Sequence, residues 1–71
     1  MSDQNHVYKL VELVGSSPNG IDDAIRNAIE DASRSIRNLD WFEATEIRGH
    51  LRDGKIAHYQ VKVKVGFRVE D

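Results

Sequence analysis

Cysteine is absent from all 71 residues, which removes disulfide bridges and thiolate metal ligands together. A basic surplus is missing too. Ten Lys and Arg stand against twelve Asp and Glu, a net charge of −2, whereas a general nucleic-acid binder carries an excess of positive charge. No apolar run approaches the roughly 20 residues of a membrane-spanning helix. Positions 1–6 are polar, without the charged-then-apolar layout of a secretory leader. The expectation is therefore a soluble cytoplasmic protein, a single domain over 1–71 with a loose tail at 1–6. The three histidines, His6, His50 and His58, share no ligand-type spacing. His50 and His58 fall on neighbouring strands with no third ligand, so no metal site is predicted. A chain this short buries only about 60% of its unfolded surface and is usually helped by disulfides, metals or association. Association is what remains.

What is present reads as four elements. Val7–Val14 is rich in β-branched and apolar residues and predicts a strand. Gly15–Gly20 is a turn leading into a helix, with Ser17 suited to the N-cap and Pro18 to the first helical position. Apolar residues then recur at Ile21, Ala24, Ile25, Ala28, Ile29, Ala32, Ile36 and Leu39, one stripe of an amphipathic helix of about 20 residues ending near Asn38. Two strands, 41–52 and 55–69, flank Asp53-Gly54, a type I′ hairpin signal. An unbroken ladder sets Trp41 against Gly66, Glu43 against Lys64, Thr45 against Lys62 and Ile47 against Gln60. The last strand alternates cleanly: Tyr59, Val61, Val63, Val65, Phe67 and Val69 face the helix with Phe42 and Ala44. His58, Gln60, Lys62, Lys64, Gly66 and Arg68 face away. Such a valine-rich strand belongs in the centre. The predicted fold class is α+β, a β-α-β-β unit whose three-stranded antiparallel sheet half-wraps one helix. Strands of this length outreach that helix, and their open edges call for partner subunits.

Trp41, the lone tryptophan, sits one residue before Phe42. Its parity turns it outward, where a large aromatic marks a contact surface, although core filling is the competing role. Gln60 shares that outer face, and its amide complements a planar imide or pyrimidine edge. Arg48, in Arg48-Gly49-His50, has a guanidinium fork suited to phosphate; the other reading is a salt bridge to Glu46 or to another subunit. Catalysis finds no support. Ser16 and Ser17 lack a nearby base, the Gly15–Gly20 turn lacks the lysine of a phosphate-binding loop, and simple alternation puts Glu43 and Glu46 on opposite faces. The alternative to a flat-ligand site is a single-stranded nucleic-acid-binding β-sheet module using Lys62, Lys64, Arg68 and Trp41. One aromatic and an acidic total weigh against it.

Val11-Glu12-Leu13-Val14-Gly15-Ser16-Ser17, Leu39-Asp40-Trp41-Phe42-Glu43, Ile47-Arg48-Gly49, Tyr59-Gln60-Val61 and Val65-Gly66-Phe67-Arg68 together resemble the dodecins, from about residue 7 to the end and in matching order and spacing. The resemblance implies a β-α-β-β subunit assembled as a hollow homododecamer that stores and sequesters flavin without turnover. It implies pairs of flavin rings stacked between tryptophans of neighbouring subunits, which protects the flavin from light. On that basis Trp41 is the stacking residue, Gln60 holds the pyrimidine edge and Arg48 lies near the phosphate or ribityl chain. Asp40 and His50 join the binding set by their closeness to Trp41 and Arg48. The Arg-Gly segment matches the bacterial pattern, for which flavin mononucleotide (FMN) is the implied ligand, with riboflavin and other flavins as variants. An unbroken hairpin ladder would leave Arg48 and Trp41 on opposite faces. Either a bulge intervenes or the site joins residues of different subunits.

Overall fold

The computed structural model describes residues 6–69, so positions 1–5 of the expected tail lie outside the described residues. The element order is β1 (Tyr8–Ser17), α1 (Ile21–Ser33), β2 (Leu39–Arg52) and β3 (Lys55–Arg68). The sheet order is β1-β3-β2 and both pairings are antiparallel. The valine-rich β3 is therefore the central strand, as its alternation requires. Val61, Val63 and Val65 are fully buried against Ala24 and Ala28 of the helix, with Val11, Leu13, Ile25 and Leu39 closing the core around them. Small residues on the helix let it lie close on the sheet. At Gly15 the approach is tightest, because a Cβ there would run into the Ala24 carbonyl and the Ala28 methyl.

Both helix ends differ from the sequence pattern. The helix starts at Ile21, with Gly20 in extended backbone at its N-cap position and no side-chain cap. Ser17 is instead the last residue of β1. Buried there, it donates from Oγ to Asp23 Oδ2 (2.7 Å) and accepts from the Asn19 N–H (2.9 Å), so it ties the strand to the first helical turn. The C-terminal end comes at Ser33, well before Asn38. Ser33 Oγ donates to the Glu30 carbonyl at 2.8 Å, a side-chain bond that competes with continuing the helix. Ser35 and Ile36 N–H groups then both close on the Ala32 carbonyl. Asn38 turns the chain with φ 65°, a left-handed conformation that asparagine tolerates, and hands Leu39 to β2.

The hairpin turn is as read: Asp53 (φ 53°) and Gly54 (φ 76°) both take the positive φ of a type I′ turn. The ladder beyond it is not unbroken. Trp41 faces Gly66, Glu43 faces Lys64 and Ala44 faces Val63, but the next pairs are Glu46 with Lys62 and Arg48 with Gln60. Thr45 is the extra residue, a β-bulge; further irregularities lie between Leu39 and Trp41 and between His50 and Leu51. Because a one-residue slip exchanges the two faces of a strand, everything from Glu46 to His50 is turned relative to simple alternation. Glu43 and Glu46 consequently share a face instead of opposing one another.

At 13 residues the helix spans about 20 Å, against about 46 Å for a 14-residue strand. It lies over β1 and β3 and barely meets β2. Phe42 has the helix-facing parity but remains 50% exposed. Its neighbours along that row, Ala44 and Ile47, are exposed too.

Candidate functional site

The face away from the helix forms a series of cross-strand rows. Gly66 stands between Leu10 and Trp41; Lys64 between Glu12 and Glu43; Lys62 between Val14 and Glu46; Gln60 between Ser16 and Arg48; and His58 beside His50. Apolar and aromatic residues occupy one end. Alternating charge fills the middle, and amide, guanidinium and imidazole groups occupy the hairpin end.

Trp41 lies on this outer face, 42% exposed. Its six-membered ring is laid across Gly66, so that a Cβ at 66 would collide with it. Tyr8 of β1 flanks the indole with ring centroids 5.2 Å apart at 60°. One π face thus rests on the bare backbone of β3, and a tyrosine sits at its side. A shallow cleft of about 200 Å³, lined by Tyr8, Asn38, Leu39, Asp40 and Arg68, adjoins this aromatic pair. Asp40 occupies the irregularity between Leu39 and Trp41.

Gln60 and Arg48 are directly opposed on neighbouring strands and share the indole's face. The shifts at the two ends of this segment, Ala57 extra on β3 and Thr45 extra on β2, bring about this pairing, since the unbroken ladder would have set Ile47 against Gln60. Arg48 also reaches Glu46 (3.5 Å), which is shared with Lys62 (3.8 Å). Arg48 and Glu46 are largely exposed and Lys62 partly so, and an ion pair of this kind contributes little to stability. The guanidinium can therefore be taken up by an anionic ligand at small cost. His50 and His58 form the next row, with their rings stacked at 4.7 Å.

The predicted set is not assembled within one chain. Gly66, under the indole, and Gln60 are six residues apart on one strand, about 20 Å. No single flat ligand touches both. Trp41, with Asp40 next to it in the chain, stands at one end of the sheet, and Gln60, Arg48 and His50 lie towards the hairpin end of the face that carries the indole. Sequence reasoning left Tyr8 out and considered Arg68 only for nucleic acid; both line the cleft at the indole end. The alternation of Tyr8, Leu10, Glu12 and Val14 along β1 was the available signal for Tyr8.

Comparison with known proteins gives one consistent result. The family model named Dodecin matches residues 7–70. The chain is 49% identical over 65 residues to the dodecin of Thermus thermophilus, covering 92% of this chain and 94% of that protein. The solved dodecin from Streptomyces davaonensis superposes with a TM-score of 0.91 at 56% identity, over 96% of this chain and all of that one. A tryptophan-to-phenylalanine mutant of the T. thermophilus dodecin superposes with a TM-score of 0.90 at 46% identity, over 94% of this chain and 100% of that one.

Proposed function

This chain belongs to the dodecin family, a family of small flavin-binding proteins, and from that premise we propose that it stores and sequesters FMN in a shell of twelve identical subunits. Pairs of flavin rings are sandwiched between Trp41 side chains of neighbouring copies. Gln60 and Arg48 of another copy reach the same ligand, Gln60 at the pyrimidine edge and Arg48 at the phosphate or ribityl chain. Asp40 and His50 border the two half-sites.

The observation that carries this reading is the outward pose of the lone indole. A core-filling tryptophan would lie under the helix. Here the ring sits on the opposite face of the sheet, propped by a glycine and with its outer surface open. The mutant relative that keeps the fold with a tryptophan replaced is in line with a binding role. The 20 Å between half-sites supports a ligand held where copies meet, and the uncovered row on β2 supplies surface for such meetings.

Each group contributes a distinct interaction. The indole offers an electron-rich face for offset stacking, the glutamine amide both a donor and an acceptor, and the guanidinium a planar two-point contact for phosphate oxygens. Bound flavin supplies the coloured, redox-active ring system. Stacked on it, the Trp41 indole would donate an electron to the excited ring and take it back, returning the flavin to its ground state without fluorescence or photochemistry. Nothing in this scheme requires turnover, and we assign the protein no catalytic residue.

The test is a fluorescence titration of FMN. Wild-type protein quenches the flavin, and Trp41→Ala loses at least about tenfold in affinity, the equivalent of about 1.4 kcal/mol. Full quenching by Trp41→Ala would remove the indole from the site. Single-stranded oligonucleotide should not compete; tight, salt-sensitive competition would instead favour the nucleic-acid module.

A further inference from the structure

We propose that His50 and His58 form a two-imidazole binding site for a divalent transition-metal ion of the copper, nickel and zinc class. An unbroken ladder would have set His50 against Ala57. The shift between Leu51 and His50, which leaves Ala57 of β3 as an extra residue, instead makes the two histidines direct cross-strand partners on one face. Their rings lie 4.7 Å apart, 22° from parallel.

Several features make this a site and not a chance neighbour pair. Directly opposed residues of an antiparallel pair carry their Cβ atoms about 4.5–5.5 Å apart, a span that two imidazoles close easily. An ion bound at about 2.0–2.1 Å from each nitrogen needs those nitrogens roughly 3 Å apart. Modest side-chain rotation tilts the stacked rings to that separation. Gly49 lets the strands close up just here, because a Cβ at 49 would stand 2.8 Å from the His58 carbonyl oxygen. The ladder shift that follows His50 is of the kind that re-aims side chains. Among the described residues neither ring is held by a hydrogen bond. His50 is exposed and His58 half-buried, so an ion can enter.

The donor set fixes the class of ion. Neutral imidazole suits copper, nickel and zinc, whereas magnesium and calcium want oxygen ligands. No group of three or more His, Cys, Asp and Glu side chains converges among the described residues, so water completes the coordination shell and binding is reversible. This inference does not rest on the flavin reading, since both ligands come from one chain and the assay contains no flavin.

The experiment is calorimetric titration of flavin-free, full-length protein with copper, nickel or zinc chloride, and with magnesium and calcium chloride as controls. One ion per chain is taken up, copper binds most tightly as the Irving–Williams order demands, and the two controls give no saturable heat. His50→Gln and His58→Gln are conservative changes on an open face that keep the strands intact. Each weakens copper binding more than about tenfold, whereas His6→Gln leaves it unchanged. Copper bound with the couplings of two imidazole nitrogens in its paramagnetic resonance spectrum, reduced to those of one in His58→Gln, supports the assignment. Undiminished binding by the His50→Gln/His58→Gln double variant overturns it, as does equal uptake of magnesium.

Discussion

Gly66 and Ser17 show how much a small side chain decides. The indole of Trp41 occupies the space that any side chain at 66 would need. Gly66→Ala therefore has two outcomes open to it: the ring moves, or the strand deforms around it. Overpacking of this kind costs about 1–3 kcal/mol. The expected result is a changed near-ultraviolet tryptophan band together with weakened FMN binding, although Trp41 itself is retained. An unchanged band with normal affinity would show that the pose described for the indole is not the binding pose. Ser17 acts through its neighbours. Its hydroxyl is the main reason that the Asp23 carboxyl is held below its ordinary value of 3.8, with Asn19 and Arg26 assisting against a partial desolvation. A lowered carboxyl pKa contributes stability that is present above pH 3.8 and is lost as pH falls through the lower folded-state value. Ser17→Ala also orphans the Asn19 N–H, a loss of about 1 kcal/mol. Thermal unfolding across pH 3 to 7 should show the gap between wild type and Ser17→Ala at its widest near neutrality and narrowing in acid. A gap that grows in acid would contradict this account.

At the scale of elements, the bulge at Thr45 is what turns Arg48 and His50 toward the face that carries Trp41. Deleting Thr45 removes the extra residue while leaving Asp53-Gly54 to close the hairpin. The ladder should then close up with Glu46–Lys62, Arg48–Gln60 and His50–His58 still opposed, because Trp41 and Arg48 come to lie six residues apart and plain alternation keeps them on one face. Strand content by circular dichroism should persist, and FMN affinity and copper binding should each stay within about tenfold of wild type; loss of both would mean that Thr45 is not the extra residue of this ladder. Little in the sequence announces it. Thr45 is an ordinary strand residue, and the alternation on either side of it is plausible in both registers. The strand order, the type I′ turn and the valine face were legible because each depends on local chemistry: positive φ at Asp53-Gly54, and period-two burial at Val61, Val63 and Val65. The end of the helix was not. Ile36 and Leu39 continue its apolar spacing while serving a turn and the start of β2, so periodicity alone overran the true end at Ser33. The outward parity of Trp41 could be read, and so could its place against Gly66, six residues along β3 from Gln60.

The whole molecule is long for its mass: the described residues extend over 59 × 20 × 14 Å. A short helix covers β1 and the middle of β3, leaving Phe42 and Ile47 (59% exposed) on the helix side of β2 without a cover. Leu51 and Ile56 near the hairpin end are exposed as well. So much open apolar surface on an 8.1 kDa chain is a contact surface in waiting, and the half-sites 20 Å apart supply a reason for contact beyond stability. The two requirements join in one prediction. Ile47→Glu places a charge on the uncovered row and leaves every proposed flavin contact untouched, since Ile47 faces away from Trp41, Gln60 and Arg48. By native mass spectrometry the wild type should weigh close to twelve chains, and Ile47→Glu should fall to small species. Flavin quenching should be lost with the assembly, by more than about tenfold in affinity. A dispersed Ile47→Glu chain that still quenched FMN like wild type would mean that one copy suffices. The separation between indole and amide would then have to be bridged by a rearrangement of the sheet. An undispersed variant would instead put the contact surface elsewhere, on the outer rows of Leu10 and Val14.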